Sequence, residues 1–436
     1  MSTAALLSAI GLLLGIVLLF VMAFKGFHNV YVAVAAVTIM AVFGGLNVFD
    51  SLMGPMMGAV GSYISSYYLL FLGGAVLGAV YKCTGAGSAV ADALIRLVGV
   101  RWANLAILLF GYIAILGGIQ SFVAIFAVYP VALRLYERAN INKAVMPAVM
   151  CGAMWTIGHT SPFAPSVPNQ IASDALGTSN SAGWLPGLIF VVIAGTLIIC
   201  YVDHAAKKMR EKGQGFNSYD DLDAIPDAEL PPVLLSLIPL VTVFALYNFL
   251  HLNVTIATWS GAAIGILLFW KRKTPAEWKE QLTIGAKDGT SVIVNTALVI
   301  AVGSVIAVLP IYTWIMDWIT SINMNPYVLC VLATAIFAAV TASGSGAITI
   351  VFQLLSPLMI RYGEMGYNLS FIHRLTVQSV SCLDSLPHCG PLIGVFQVCR
   401  VTHKEAYKHV FFTTIVIPMI VCYGIELPIC MILGGI

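Results

Sequence analysis

The sequence predicts an all-α integral membrane protein made of two repeats of inverted topology, each holding a hairpin and a broken transmembrane helix. Three observations predict it. Of 436 residues, 60% are hydrophobic and only 9% charged, with a mean hydropathy of +0.95; a soluble domain carries about 25% charged residues. The apolar runs are continuous and about twenty residues long, the length of a bilayer-crossing helix, whereas strands of a membrane barrel alternate over about ten. A small-residue turn followed by a proline-rich interruption also occurs once in each half of the chain.

The run from Ala4 to Phe24 stands where a signal peptide would. It has no basic n-region and no A-x-A site, and further runs follow, so it reads as a retained helix. Continuous spans are expected over about 5–24, 28–49, 57–81, 184–203, 231–250, 254–270, 289–309 and 410–433. The one clearly hydrophilic segment, 204–232, opens with KKMREK (207–212) and turns acidic around Asp220–Glu229. It divides the chain into a first repeat over 1–203 and a second over 233–436. Nine cysteines are scattered, most of them inside apolar runs (Cys151, Cys200, Cys330, Cys422), without CxxC or metal-ligand spacing, so they read as buried thiols and not as a disulfide framework or a metal site. The net charge of +2 is spread over short loops and offers no face to nucleic acid.

Lys and Arg concentrate in cytoplasmic loops. That rule places 204–232 in the cytoplasm through Lys207, Lys208, Arg210 and Lys212, and puts KRK (271–273), Lys25, Lys82, Arg96 and Arg101 on the same side. Residues 102–138 begin beside Arg101 and finish at Arg134 and Arg138, so both ends belong inside, and GGIQS (117–121) becomes the tip of a hairpin within the membrane. Residues 325–361 repeat the shape around TASGSGAIT (341–349), entering from outside. Each hairpin precedes an interrupted helix: GHTSPFAPSVPNQ (158–170) in the first half, DSLPHCGP (384–391) in the second. Amphipathic stretches at 87–98 and 312–322 precede the hairpins in matching positions. Both termini then lie outside the cytoplasm, and the paired, inverted breaks follow the pattern of secondary transporters.

The breaks point to chemistry because unpaired backbone N–H and C=O groups cannot face lipid. Prolines remove donors and stop the helix, leaving half-helix N-termini whose N–H groups and positive dipole suit a carboxylate. Gly117, Gly118, Gln120 and Ser121 make a compact first tip, and Ser343, Gly344, Ser345 and Gly346 a second, with glycine permitting close backbone approach. His159, Thr160, Ser161 and Asn169 line the first break; Pro387, His388 and Gly390 the second. Small residues also serve simply to pack helices, but matched tips beside matched breaks favour one shared substrate site. Asp384 and His388 stand four residues apart in a single break. Ionisable groups inside a membrane are expensive and functional by default, and histidine titrates near neutral pH. The pair is therefore assigned to proton coupling, with capping of the broken helix ends as the plainer role. No arginine lies in a break or a tip, which favours a substrate with one carboxylate and several hydroxyls. Glu426, followed by Leu427 and Pro428, reads as a structural helix-end residue, and Asp288 as a solvated helix start.

The stretch LDSLPHCGPLIGVFQVCRVTHKEAYKHVF (383–411) resembles the signature of the gluconate permease (GntP) family in the ion transporter superfamily: an Asp, a Leu-Pro-His, a Gly, then Thr-His before an acidic-Tyr-Lys run. The GSGAIT tip (344–349) is similar to the glycine- and serine-rich segment of the same family. The first break, TSPFAPSVPNQ, departs from the His-Pro-Gly-Pro run of gluconate permeases, and Cys389 stands where a polar residue is common, so the chain resembles a divergent member. The resemblance implies proton symport of sugar acids or other small hydroxy acids. It also implies a homodimer with a scaffold domain and a transport domain that moves as an elevator.

The expectation is a multi-pass protein of the cell inner membrane that imports a small organic anion together with protons and needs no cofactor. Sodium, held by unwound carbonyls and Ser or Asn oxygens, is the alternative coupling ion. A channel and an intramembrane enzyme are the alternatives of a different class. The sequence contains no HExxH, GxSxG or paired catalytic aspartate motif, and a closed site of four elements favours binding and release over free conduction.

Overall fold

Caps and left-handed glycines mark where the helices begin and end. The His28 side chain accepts from the Val30 N–H at the start of the second helix, which ends at Gly45 in the left-handed region (φ 69°). Asn47 caps the third helix, and Gly85 (φ 76°) stops it. The computed structural model describes residues 2–25, 27–116, 121–216, 229–250, 252–321 and 324–434, and among these it is helical with no strand.

The first half contains α1 (Thr3–Phe24), α2 (Asn29–Gly44), α3 (Val48–Thr84), α4 (Ala86–Val98), α5 (Ala103–Leu116), α6 (Ser121–Ala139), α7 (146–158), α8 (Val167–Leu176) and α9 (Trp184–Glu211). The second contains α10 (Val233–Asn248), α11 (Val254–Phe269), α12 (Pro275–Ile306), α13 (Pro310–Ser321), α14 (Pro326–Thr341), α15 (Gly344–Glu364), α16 (Leu369–Val380), α17 (Gly390–Cys399) and α18 (His403–Leu433). Six described helices, namely α3, α9, α11 with its extension to Arg272, α12, α15 and α18, are long and apolar enough to cross a bilayer. Large apolar side chains such as Leu13, Val192 and Leu267 stand well exposed on outer faces, as hydrocarbon contact requires.

Two expected boundaries were displaced. Helix α12 begins at Pro275 because Thr274 and Glu277 form a complete capping box. Asp288 is therefore an exposed residue inside that helix and not its start. Helix α3 begins at Val48, well before residue 57, because a π-helical turn at Leu52–Met56 absorbs Pro55 without ending the helix. Of the nine cysteines eight are buried, but Cys200 is exposed on α9.

Helices α3 and α12 pack along one another at the centre. Gly285 and Gly289, one turn apart on α12, allow this: a Cβ on Gly289 would stand 3.1 Å from the Leu72 Cα, and one on Gly285 3.2 Å from the Ala75 carbonyl oxygen. Around this pair the contacts come in reciprocal sets. Helix α2 packs on α12 and α11 on α3; α1 packs on α13 and α10 on α4. Helix α5 packs on α7 and α14 on α16; α6 packs on α17 and α15 on α8. Each helix that follows a break thus lies against the second arm of the other half's hairpin.

Candidate functional site

The second hairpin turns within two residues. Helix α14 ends at Thr341, Ala342 is left-handed (φ 45°), and Ser343 caps α15 by accepting the Gly346 N–H at 3.2 Å. The expected tip residues Gly344, Ser345 and Gly346 therefore form the first turn of α15, whose N–H groups have no partner within the helix. Ser345 is exposed, while Ser343, Gly344 and Gly346 are half-buried.

The second break runs from Ser381 to Cys389, between α16 and α17, and meets that tip. A Cβ on Gly344 would lie 2.7 Å from Asp384 Oδ2, so glycine alone allows the carboxylate to seat against the α15 N-terminus. Ser385 Oγ donates to Asp384 Oδ1 at 2.8 Å. Asp384 and His388 are both buried, at 6% and 5% exposure. The His388 ring lies by the carbonyls of Ala339 and Val340, at the C-terminal end of α14. Helix α18 braces the break: His403 Nε2 shares a hydrogen bond with the Pro387 carbonyl at 3.3 Å, and the Tyr407 hydroxyl donates to the Ser385 carbonyl at 3.3 Å. Gly390 opens α17 against α12, where a Cβ would meet the Thr296 carbonyl oxygen at 2.8 Å.

In the first half, α7 widens into a π-helical turn at Gly152–Gly158 and then stops. His159 donates its N–H to Met154 and accepts at its carbonyl from the Ser166 hydroxyl. Pro168 occupies the first turn of α8, so the break spans 159–166 and Asn169 belongs to the helix after it. Asn169 Nδ2 donates to the carbonyls of Ser161 and Ala164, both at 2.9 Å, and Ser161 Oγ shares a hydrogen bond with the Tyr112 hydroxyl at 2.9 Å. Thr160 Oγ1 donates to the Thr156 carbonyl at 2.7 Å. These side chains are engaged in building the break. His159 is half-buried, and its Nε2 has no hydrogen-bond partner among the described residues. Ser121 is the first residue of α6 and is half-buried; Gly118 and Gln120 lie outside the described residues.

Sequence reasoning missed the residue that joins the halves. Arg374, on α16 ahead of the second break, is fully buried and reaches into the first break. Its Nη1 donates to the Thr160 carbonyl at 2.8 Å and to Asn169 Oδ1 at 2.9 Å; Nη2 donates to the Asn180 carbonyl at 2.7 Å and Nε to the Ala182 carbonyl at 3.0 Å. Gly183 and Gly187 give it room, since a Cβ at either would come within 2.8 Å of its side chain. An arginine amid FIHRLTV was the available signal, because a charge within a membrane segment calls for a partner. Glu426 also differs from expectation. It is not at a helix end but in a π-helical turn, Cys422–Glu426, inside the continuous α18, and it is fully buried.

A cavity of about 600 Å³ opens between the α3–α12 pair and the α6–α17 pair, with Lys82, Tyr129, Glu280, Ser291, Gln397 and Arg400 in its wall. Arg400 closes the C-terminal end of α17, so at 1.5 Å per residue the cavity lies about 15 Å from the break that opens that helix. No cluster of three metal-ligating side chains is present among the described residues.

The family profile described as GntP family permease matches residues 7–376. The chain belongs to the GntP permease family. It is thus a multi-pass membrane transporter and not an enzyme. This GntP family permease is 27% identical over 453 aligned residues to the uncharacterized transporter YxjC of Bacillus subtilis, covering 93% of this chain and 95% of that protein. It is also 25% identical over 245 residues to an uncharacterized permease of Haemophilus influenzae, covering 53% of this chain and 49% of that one. Among solved structures it is similar to the Alcanivorax borkumensis YdaH transporter, described as having an unusual topology, at 12% identity and a TM-score of 0.40 over 88% of each chain.

Proposed function

We propose that this GntP family permease is a proton-coupled importer of a small hydroxylated carboxylate such as a sugar acid. The observation that carries the reading is the buried Asp384 carboxylate seated against Gly344, at the N-terminus of α15. Ionised, Asp384 competes with any second carboxylate for that helix end. Once it takes a proton, with His388 in the same break as relay, the first turn of α15 is open to the substrate's carboxylate. Two like charges at short range in a poorly screened site repel strongly, so proton and anion bind together. Ser343, Gly344, Ser345, Gly346, Pro387, His388 and Gly390 shape this half of the site. Ser121, His159, Thr160, Ser161 and Asn169 complete it from the other side.

The reciprocal packing described above, in which α2 on α12 is matched by α11 on α3 and α6 on α17 by α15 on α8, supports inverted repeats. On this reading α3 and α12, with the outer helices, form the scaffold of a homodimer. The hairpins, broken helices, α9 and α18 form a transport domain that moves as an elevator in the inner membrane. With 204–232 cytoplasmic and both termini outside, the 600 Å³ cavity beside Lys82 and Arg400 is the inner vestibule.

A thermal-shift screen of purified protein against hydroxy acids identifies the substrate, because a ligand that binds only the folded state raises its stability. Uptake of that substrate into proteoliposomes under a pH gradient, and separately under a sodium gradient, then names the ion. Accumulation driven by sodium alone would assign the sodium-coupled alternative.

A further inference from the structure

Glu426 is a buried acid that the coupling scheme above does not use. It is fully buried, and neither carboxylate oxygen accepts an N–H or O–H hydrogen bond among the described residues; its one polar contact is the Cys422 thiol, a weak donor. Facing it are the Arg374 guanidinium from α16, within electrostatic reach but not in an ion pair, and the thiols of Cys422 and Cys430 on its own helix. Cys382 sits behind Cys422. His373, beside Arg374, turns to Thr178 instead. Helix α9 also packs on this turn, and its residues 184–199 include no titratable side chain.

An ionised carboxylate with no strong protein donor is among the most expensive things a protein interior can hold. Arg374 attracts it only from a distance, because four acceptors around the first break already hold the guanidinium. The chain is also wound into a π-helical turn at Glu426, a local departure that recurs at functional sites.

We infer that Glu426 holds a proton in this conformation and is a second proton-carrying site of the transport cycle, linked to the first break through Arg374. The inference rests on the symport reading. When the first break rearranges and slackens its hold on Arg374, the guanidinium becomes available to the carboxylate, and the O–H bond of Glu426 gives its proton to the aqueous phase then open. When the break closes on Arg374 again, the carboxylate recovers a proton from the opposite side.

The test uses the full chain as wild type, Glu426→Gln, Glu426→Asp and Asp384→Asn. Infrared difference spectroscopy of the reconstituted protein should show a protonated-carboxyl C=O band that shifts in D2O, persists in Asp384→Asn and is missing in Glu426→Gln. In proteoliposomes Glu426→Gln should still bind substrate but move one proton fewer per substrate, and Glu426→Asp should restore that proton. An unchanged band in Glu426→Gln, or wild-type proton stoichiometry in that variant, overturns the inference. Wild-type uptake indifferent to a pH gradient overturns the symport reading itself, and is seen before any variant is made.

Discussion

Arg374 Nη1 stands 2.9 Å from Asn169 Oδ1, so the helix leading into the second break is bolted to the helix leading out of the first. The two residues are 205 positions apart. Because the same guanidinium also holds the Thr160, Asn180 and Ala182 carbonyls, neither break can change shape without the other registering it.

Substituting Arg374 by Met should therefore destabilise the fold by several kcal/mol, since it leaves the Thr160 and Ala182 carbonyls and Asn169 Oδ1 without that donor at roughly 1–3 kcal/mol each before relaxation, while the Asn180 carbonyl keeps the Phe163 N–H. Lys should recover only part of this, because an ammonium cannot span a planar fork of acceptors. A double-mutant cycle with Asn169→Ala, read from unfolding midpoints in detergent, should return a coupling of about 1.5–3 kcal/mol. Additive losses would show that the pair does not act as a unit.

Gly344→Ala should reduce substrate uptake about tenfold, the equivalent of roughly 1.4 kcal/mol. Its new Cβ meets Asp384 Oδ2 at 2.7 Å and Val380 Cγ1 at 2.9 Å. Gly346→Ala meets only the Ser343 side chain, at 3.1 Å and 3.3 Å, and should lose much less. Initial uptake rates of the two variants at matched membrane levels decide the point; equal losses would remove Asp384 as the reason for glycine at 344.

Thr274→Ala removes the capping box that starts α12 and should cost about 1 kcal/mol of stability. Uptake per folded protein should stay at the wild-type value, because the cap is remote from both breaks. A thermal midpoint that does not fall would mean that another signal sets this helix start.

His388→Ala should insert and fold, yet lose substrate accumulation under a pH gradient. Wild-type accumulation by this variant would leave Asp384 as the coupling group without a relay.

Much of this architecture was legible in the sequence. Length and apolarity marked five of the six described helices that can cross a bilayer, whereas the sixth, α15, reads in sequence as a hairpin arm; GSGAIT and DSLPHCGP announced a hairpin and a break by their glycine, serine and proline content. What stayed hidden was pairing at long range. Nothing local to Arg374 says that its acceptors lie at Thr160, Asn169, Asn180 and Ala182, because those contacts arise only when α16 packs beside α8 and α9. Glu426 was misplaced for a related reason. Pro428 suggests a helix end, but a π-helical turn absorbs the disruption and the helix continues to Leu433. Asp288 looks like a helix start because it is a charge ahead of an apolar run, but the helix begins earlier, at the Thr274 cap.

The central claim is that a proton on Asp384 frees the α15 N-terminus for the substrate's carboxylate. The most direct measurement compares wild type and Asp384→Asn in proteoliposomes, as substrate accumulated under an inward pH gradient and as substrate exchanged with no gradient. Wild type should concentrate substrate, and the variant, permanently neutral at that position, should exchange it but never concentrate it. Full pH-driven accumulation by Asp384→Asn would contradict the account.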